Sequence, residues 1–496
     1  MGSGLSTLFK LGLKRIEAEL RAANLLLKTN ILEQDVAVGL STDIDQLKYN
    51  DVFISYRGVS FDRHTVIESA IKKGIAGVVL DDPAYSSGLD TIFFLVKDCR
   101  KAWAVLCAAG YNHPEQKLDI LGVTGTNGKT STVWILHYLL QLSGLRGVTI
   151  GTLGVMFPDE VWDATHTTPD PPQLFKILAK AVDDNCQYVA MEVSSIAINQ
   201  GKLDFLKFLC GGFTSFSQDH LDYHGTMANY LADKLRFFGD LVVGKRFAWG
   251  GLREVDGVWA QLPKDTLTYG DTEQDNYRYG CQLSSGGMTP MSISKAGDKT
   301  YSGEIKFGSG YGAQNFCLAM MMAENYLGSA IGVDTWREVP SVPGRMEVVD
   351  SAGWVIVDYA HTPDALENAL LECKSFANKV CVVFGCGGDR DKSKRRLMGA
   401  IACRLATRLV ITSDNPRSEN PQKIINDILA GVSGACDLSS DLDRRNAIKF
   451  ALESREDQEV VLIAGKGHET YQEVTGVRYD FDDREVARTI LKSIGE

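Results

Sequence analysis

Apolar residues come in short runs separated by stretches of helical spacing, and that alternation recurs along most of the 496 residues. DVFISY (51–56) and GVVLDD (77–82) read as strands, and between them HTVIESAIKKG (64–74) sets Val66, Ala70 and Ile71 on one helical face. Asn112, His113 and Pro114 interrupt a helical stretch around residues 100–110, and the strand LDILGV follows. LDILGV, YVAMEV and CGGFTSF are separated by helical patterns, as a parallel sheet covered by helices requires. A stretch near 250–310, rich in Gly, Ser and Thr, predicts an antiparallel or loop excursion before a helix beginning near Ala313. VPSVPGRME (339–347) breaks the pattern again, and beyond it WVIVDYA, KVCVVFG, RLVITSD and EVVLIAG predict four buried strands alternating with helices. The expected architecture is therefore α/β in three domains, 1–112, 113–341 and 342–496, in keeping with about 150 residues per domain.

Composition narrows the function. With 44% hydrophobic and 23% charged residues the chain reads as globular, and no run approaches the ~18 apolar residues of a membrane span. The first twenty residues are broken by Lys10, Lys14, Arg15, Glu17 and Glu19, which argues against an export signal. Gly2 and Ser6 match a myristoylation pattern too short to carry weight. A formal net charge of −11 argues against nucleic-acid binding, which needs a basic surface to displace phosphate counterions. Eleven cysteines lie scattered singly with no CxxC pair, so they predict reduced thiols in a cytoplasmic protein rather than a zinc site or a disulfide framework.

GVTGTNGKTST (122–132) follows a strand and opens the apolar helix VWILHYLL, where a glycine-rich loop and a helix N-terminus present N–H groups to phosphates. Gly125, Thr126, Asn127 and Gly128 would form the cradle, Lys129 would reach the β/γ-phosphates of ATP, and Thr130 would hold Mg²⁺. The preceding glycine sits at Gly122, one position earlier than the strict pattern places it, so the residues alone leave open a plain strand-to-helix turn. GTNGKT resembles the nucleotide loop of the Mur ligase superfamily, which also includes folylpolyglutamate synthetase.

The resemblance extends over nearly the whole chain. It implies a small N-terminal UDP-binding domain, a central P-loop-type mononucleotide-binding domain and a C-terminal Rossmann-like domain that binds the amino acid. Glu192 in AMEVSS and His220 in DHLDYHG match metal ligands of the family, and oxygen and imidazole donors at strand ends suit Mg²⁺. Lys234 matches a lysine carbamylated by CO₂, an N6-carboxylysine that helps hold a second Mg²⁺. Asn315 resembles the asparagine near adenine, and Arg345, Asp358 and His361 resemble residues that meet the nucleotide when the C-terminal domain closes. Thr167, Thr168, Ser194, Gln200 and Lys202 fall where the family binds its UDP-muramoyl acceptor.

The tetrapeptide Asp414-Asn415-Pro416-Arg417 resembles the mark of the diaminopimelate-adding branch; by itself Asn-Pro is also a common turn. Arginine offers a planar donor fork for a distal carboxylate, a contact that Arg417 and Asn415 can supply, and Arg390 joins them in the candidate diaminopimelate set. Gly465 and Glu469 of GKGHE would accept the distal ammonium. The neighbouring basic run Lys392, Lys394, Arg395 and Arg396 reads as a solvated helix face.

The implied activity is ATP-dependent addition of meso-diaminopimelate to UDP-N-acetylmuramoyl-L-alanyl-D-glutamate through an acyl phosphate, for cell-wall precursor synthesis. Lysine-adding ligases, folylpolyglutamate synthetases and a catalytically silent scaffold are the alternatives; the DNPR element argues against the first two, and retention of Lys129, Glu192, His220, Lys234 and Arg390 against the third. The chain departs from the family at Ile196, where histidine is usual, at Lys202, where arginine is expected, and at Asp43-Ile44-Asp45, which replaces an Asp-Ser-Arg element. The implied partners are small molecules only, and the oligomeric state stays open, a monomer included.

Overall fold

A computed structural model describes residues 9–31, 35–58, 61–164, 166–282, 288–296, 300–306, 310–350, 352–434 and 436–495. Gly2 and Ser6 lie outside the described residues. The chain divides into two compact units, one from Met1–Lys129, Gly144–Arg246 and Arg253–Thr266, the other from Thr130–Ser143, Phe247–Leu252 and Leu267–Glu496.

Among the described residues the first unit holds a short ladder, Leu11–Gly12 with Ala37–Val38, and two larger sets of strands. The N-terminal one runs Leu26–Thr29, Ile92–Val96, Gly77–Leu80, Val52–Ser55, Leu40–Ser41, parallel except at its first strand. The expected helix at 64–74 is a 3-10 turn, Arg63–Val66, running into an α-helix, Ile67–Lys72. Ile67 and Ala70 are buried against Phe53, Val78 and Phe93, with Val66 and Ile71 partly covered. The helix Cys99–Gly110 stops where Asn112 and His113 take left-handed backbone angles, φ 58° and 53°, and Pro114 follows.

The second sheet of this unit places β1 (Asp119–Thr124) between β2 (Tyr188–Glu192) and β3 (Phe208–Phe213), all parallel, with Gly147–Gly151 beyond β2. Position 122 in β1 is a glycine where a Cβ would lie 2.6 Å from the Phe208 ring and 2.8 Å from the Phe237 ring. The helix α2 (Met227–Arg236) carries Tyr230, Leu231 and Lys234 on its buried face.

In the second unit, the stretch expected to be irregular contains parallel pairing of Phe247–Trp249 with Leu267–Gly270, then an antiparallel meander through Tyr277–Cys281, Thr289–Lys295 and Thr300–Ile305. The helix α3 (Gly310–Leu327) follows, buried almost continuously from Ala313 to Ala323. A six-stranded sheet then runs Glu347–Val348, β4 (Val355–Asp358), β7 (Glu459–Ala464), β5 (Lys379–Phe384), β6 (Arg408–Thr412), Asp437–Asp441. All four predicted strands are present. The edge strand Asp437–Asp441 escapes sequence reading because DLSSD has no apolar run.

Alternation along β5 explains the layering. Val380, Val382 and Phe384 enter one apolar core with the helices Pro363–Phe376, α4 (Ser393–Leu405) and Pro421–Leu429, while Cys381 and Val383 enter a second with Arg444–Glu453 and Asp483–Ile494. Within the second core sits a fully buried ion pair. Arg444 Nε and Nη2 each donate to the Asp483 carboxylate at 2.7 Å, and the guanidinium also donates to Ser413 O at 3.3 Å and Ala464 O at 3.0 Å. Removing one partner strands a charge in the core, so Asp483→Ala should lower the stability of this unit by about 3–5 kcal/mol, while the double change Arg444→Met with Asp483→Leu should cost much less. Denaturant unfolding of the three chains checks the comparison.

Candidate active site

Loop geometry comes first. Between β1 and α1 (Lys129–Leu142), Gly125 and Gly128 take φ of 144° and 85°, and a side chain at 125 would also collide with Thr214 Oγ1. Strand β3 and its extension hold the loop: Thr126 N–H donates to Ser215 O at 2.8 Å, and Asn127 N–H to Ser215 Oγ at 3.0 Å. Lys129 Nζ curls back to Gly125 O at 2.8 Å and Thr126 O at 2.9 Å. Thr130 is buried in the first turn of α1.

A second lysine reaches the same carbonyl. Lys234 Nζ donates to Gly125 O at 2.8 Å, lies 4.5 Å from the centre of the Tyr230 ring and is 1% exposed. Burial, followed by the charge of Lys129, pulls its pKa well below the ordinary lysine value, against the opposing pull of Asp219 and Asp233. The fold thus works against the charged form of this amine.

Glu192, at the end of β2, is buried and its carboxylate accepts Thr152 N–H at 2.7 Å and Thr152 Oγ1–H at 3.3 Å. Gly151 makes room, since a Cβ there would collide with Glu192 Oε1. Thr168 Oγ1 donates to Glu192 O at 2.9 Å and accepts Ser194 N–H at 3.2 Å, and Thr167 Oγ1 lies 3.4 Å from Thr152 Oγ1. Thr167, Thr168, Ser194 and Glu192 are therefore brought together. The Ser194 hydroxyl also caps the helix Ser195–Asn199 through Ala197 N–H.

His220 is exposed at a left-handed φ of 50°, with Nε2 3.4 Å from Asp219 Oδ2. Among the described residues, no three His, Cys, Asp or Glu side chains converge to hold a metal. Glu192 carries a carboxylate and His220 an exposed imidazole, donors of the type a divalent ion takes when hydroxyl, water or phosphate oxygens complete its shell. The other histidine of the segment has a structural role: His224 is buried between Ser195 Oγ at 2.9 Å and Asp233 Oδ2 at 3.1 Å.

Gln200 Nε2 donates to Tyr223 OH at 3.3 Å. Lys202 Nζ pairs with Asp170 Oδ1 at 2.6 Å. Ile196 lies part-buried in the helix that Ser194 caps. At the remaining departure, Asp43 caps the turn Ile44–Gln46 by accepting Asp45 N–H at 2.9 Å.

In the second unit, Asn315 on α3 accepts a hydrogen bond from Thr132 Oγ1 at 3.4 Å. The Arg345 guanidinium lies 4.6 Å from the centre of the Tyr359 ring, and its buried Nε has no hydrogen-bond partner among the described residues. Asp358, at the end of β4, accepts Met346 N–H at 2.7 Å and Ala360 N–H at 2.8 Å; desolvation raises its pKa against the pull of Arg345. His361 is exposed, with Nδ1 2.8 Å from Tyr359 O, a geometry in which Nδ1 donates and Nε2 stays open.

The carboxyl ends of β5, β6 and β7 carry the other cluster. Asn415 Nδ2 donates to Glu469 Oε2 at 2.8 Å, Glu473 N–H donates to Asn415 Oδ1 at 2.9 Å, and Gly388 N–H donates to Asn415 O at 2.9 Å. Asp414 accepts Asn415 N–H at 2.6 Å, and a Cβ on Gly465, at φ 115°, would press on Asp414 Oδ2 at 2.8 Å. Pro416 leads into Arg417, whose φ of 50° aims its Nη1 at Gly388 O, 2.7 Å away. Arg390 is exposed and has no hydrogen bond or ion pair among the described residues.

Two findings depart from the sequence reading. Arg395 does not lie on a solvated face: it is fully buried, donates to Glu419 at 2.8 and 3.1 Å and to Asp427 at 2.9 Å, and so ties α4 to the chain beyond Arg417. Lys394 is half-buried and donates to His361 O at 2.7 Å, whereas Lys392 and Arg396 are exposed as expected. Lys466 was missed. It is 0% exposed, and its Nζ donates to Glu469 Oε2 at 3.0 Å and Asn415 Oδ1 at 3.2 Å. The available signal was a lysine between two glycines directly after a buried strand, a place where a cation needs fixed partners.

Residues 123–323 match the Mur ligase middle domain and 344–467 the Mur ligase, glutamate ligase domain. Relatives named UDP-N-acetylmuramoyl-L-alanyl-D-glutamate–2,6-diaminopimelate ligase include that of Thermosynechococcus vestitus, 38% identical over 91% of this chain and 94% of its own. That of Cytophaga hutchinsonii is 37% identical over 93% and 98%. A solved structure with the same name is 28% identical, with a TM-score of 0.68 over 98% of this chain and 100% of its own. The Mycobacterium tuberculosis folylpolyglutamate synthase structure, 16% identical with a TM-score of 0.59 over 80% and 95%, shares the fold. By both domain matches and by relatives that span more than nine-tenths of its length, the chain belongs to the Mur ligase family.

Proposed function

We propose that this protein is an ATP-dependent ligase that joins meso-diaminopimelate to a D-glutamate carboxylate of UDP-N-acetylmuramoyl-L-alanyl-D-glutamate, releasing ADP and phosphate. The observation that carries the reading is the cluster of Asn415, Arg417, Lys466 and Glu469 at the carboxyl ends of β6 and β7, where open α/β sheets bind ligands. Its charges suit an amino acid with a second zwitterionic end. The forks of Arg390 and Arg417 take the distal carboxylate, and Glu469 with the Gly465 backbone takes the distal ammonium. Relatives at 37–38% identity that carry this ligase name support the substrate.

ATP binds with its phosphates on the loop Gly125–Gly128, where Lys129 exchanges its loop carbonyls for phosphate oxygens. Asn315, Arg345, Asp358 and His361 serve the rest of the nucleotide. The open Nε of Arg345 supports that role. Two Mg²⁺ ions, held by Thr130, Glu192, His220 and a carbamate on Lys234, would supply charge neutralisation for phosphoryl transfer. The amine's setting supports the carbamate: Lys234, its charged form disfavoured by burial, adds CO₂ as the free amine, forming an N–C bond and releasing a proton, and becomes an anion.

Thr167, Thr168, Ser194, Gln200 and Lys202 orient the acceptor. Its carboxylate attacks the γ-phosphate, and the deprotonated amine of diaminopimelate then attacks the acyl phosphate, with phosphate as the leaving group. We assign binding of the acceptor's UDP end to residues 1–112, its orientation by the five residues just named and ATP chemistry to 113–341, and amino-acid binding to 342–496, and place the reaction in the cytoplasm with its ATP.

Phosphate release from ATP should require both the UDP-muramoyl dipeptide and meso-diaminopimelate; stimulation by L-lysine instead would overturn the specificity assignment. Arg417→Lys should lower kcat/KM for diaminopimelate about 10- to 100-fold, the worth of a charge-assisted fork, with KM for ATP unchanged in steady-state assays. Lys234→Arg should lose at least ~100-fold in kcat. Protein equilibrated with ¹³C-bicarbonate should show a carbamate carbon resonance absent from that variant, and identical spectra would remove the carbamate.

A further inference from the structure

Cys403 and Cys436 lie 33 positions apart in the chain, yet their sulfurs are 2.7 Å apart. That gap exceeds the ~2.05 Å of a formed disulfide by less than 1 Å. Cys403 sits in the last turn of α4 and Cys436 just before the edge strand Asp437–Asp441, both half-exposed at the margin of the core beneath β5 and β6. Cys403 Sγ also approaches Ser433 O at 3.5 Å, so the thiol is aimed along the turn that delivers its neighbour. Most other cysteines are buried, and the remaining half-exposed one, Cys281, has no second thiol in contact among the described residues.

We propose that Cys403 and Cys436 are a redox modification site, oxidised to an intrachain disulfide by a low-molecular-weight disulfide of the glutathione type. The Cys403 thiolate attacks one sulfur of the small disulfide; the S–S bond breaks, one small thiol leaves with a proton, and a mixed disulfide remains. Cys436 then attacks the Cys403 sulfur and displaces the second small thiol. Two protein thiols are oxidised and one small disulfide is reduced to two thiols. Desolvation and the adjacent Cys403 thiol push the Cys436 thiol up to about 11, which leaves little standing thiolate, so the second step depends on the 2.7 Å proximity of the two sulfurs. The ring so closed contains β6, the Asp414–Arg417 turn and the helix Pro421–Leu429. Oxidation therefore ties together the two ends of the segment that carries the Asp414–Arg417 turn.

The test uses the full reduced chain with oxidised glutathione, followed by alkylation, peptide mass mapping and thermal unfolding. The expected result is a Cys403–Cys436 cross-linked peptide free of glutathione, with at most a glutathione adduct on Cys281. Both variants should lose the cross-link: Cys436→Ser should retain glutathione on Cys403, and Cys403→Ser, which lacks the attacking thiol, should leave Cys436 largely unmodified. Oxidation should raise the unfolding midpoint of the parent chain by several degrees, through loss of chain entropy in the unfolded state, and leave both variants unshifted. Stable glutathione adducts on both cysteines of the parent chain, or no thiol loss at either, would overturn the proposal.

Discussion

Two charges with no water around them fix the carboxyl ends of the C-terminal sheet. Arg444 and Asp483 neutralise each other, and the donors left on the guanidinium go to Ser413 O and Ala464 O. Those carbonyls are the last points before Asp414 and Gly465, where β6 and β7 give way to the loops of the candidate site. A single buried side chain thus sets the separation of the loops that begin at Asp414 and Gly465. Lys466 and Arg395 repeat the device closer to the site: each is a buried cation whose partners, Glu469 and Asn415 in one case and Glu419 and Asp427 in the other, lie on different loops or helices. A buried charge tolerates little displacement, because every lost partner costs a desolvated ion.

The first unit uses the opposite arrangement. Lys129 and Lys234 both donate to the carbonyl of Gly125, so two cations converge on one backbone oxygen. Their mutual repulsion, added to the burial of Lys234, weakens the charged form of the inner lysine. The loop that would cradle phosphate is thereby coupled to the chemistry of a residue 105 positions after Lys129, which no local pattern links to it.

The strand ends give both units their functional logic. Glu192, Asp358, Asp414 and Gly465 all stand at or just past the carboxyl ends of parallel strands. Parallel sheets bury their strands on both faces, so polar chemistry is pushed to the ends. That is why the strand signals and the candidate site residues fall side by side along this chain.

The sequence by itself determined the α/β class, the strands β1 to β7 and the glycine loop, because apolar runs and helical spacing are local signals that tertiary contacts reinforce. It also marked Asn415, Arg417 and Glu469 through short motifs. Only the tertiary structure decided which basic residues are solvated: Arg395 and Arg396 are neighbours in sequence, yet one is sealed against Glu419 and Asp427 and the other faces water. The same holds for Lys466, for His224 between Ser195 and Asp233, for Lys202 against Asp170, and for Cys403 beside Cys436. Side-chain charge and reactivity depend on partners brought from distant positions, and a one-dimensional pattern carries no information on which of these come within a few ångströms.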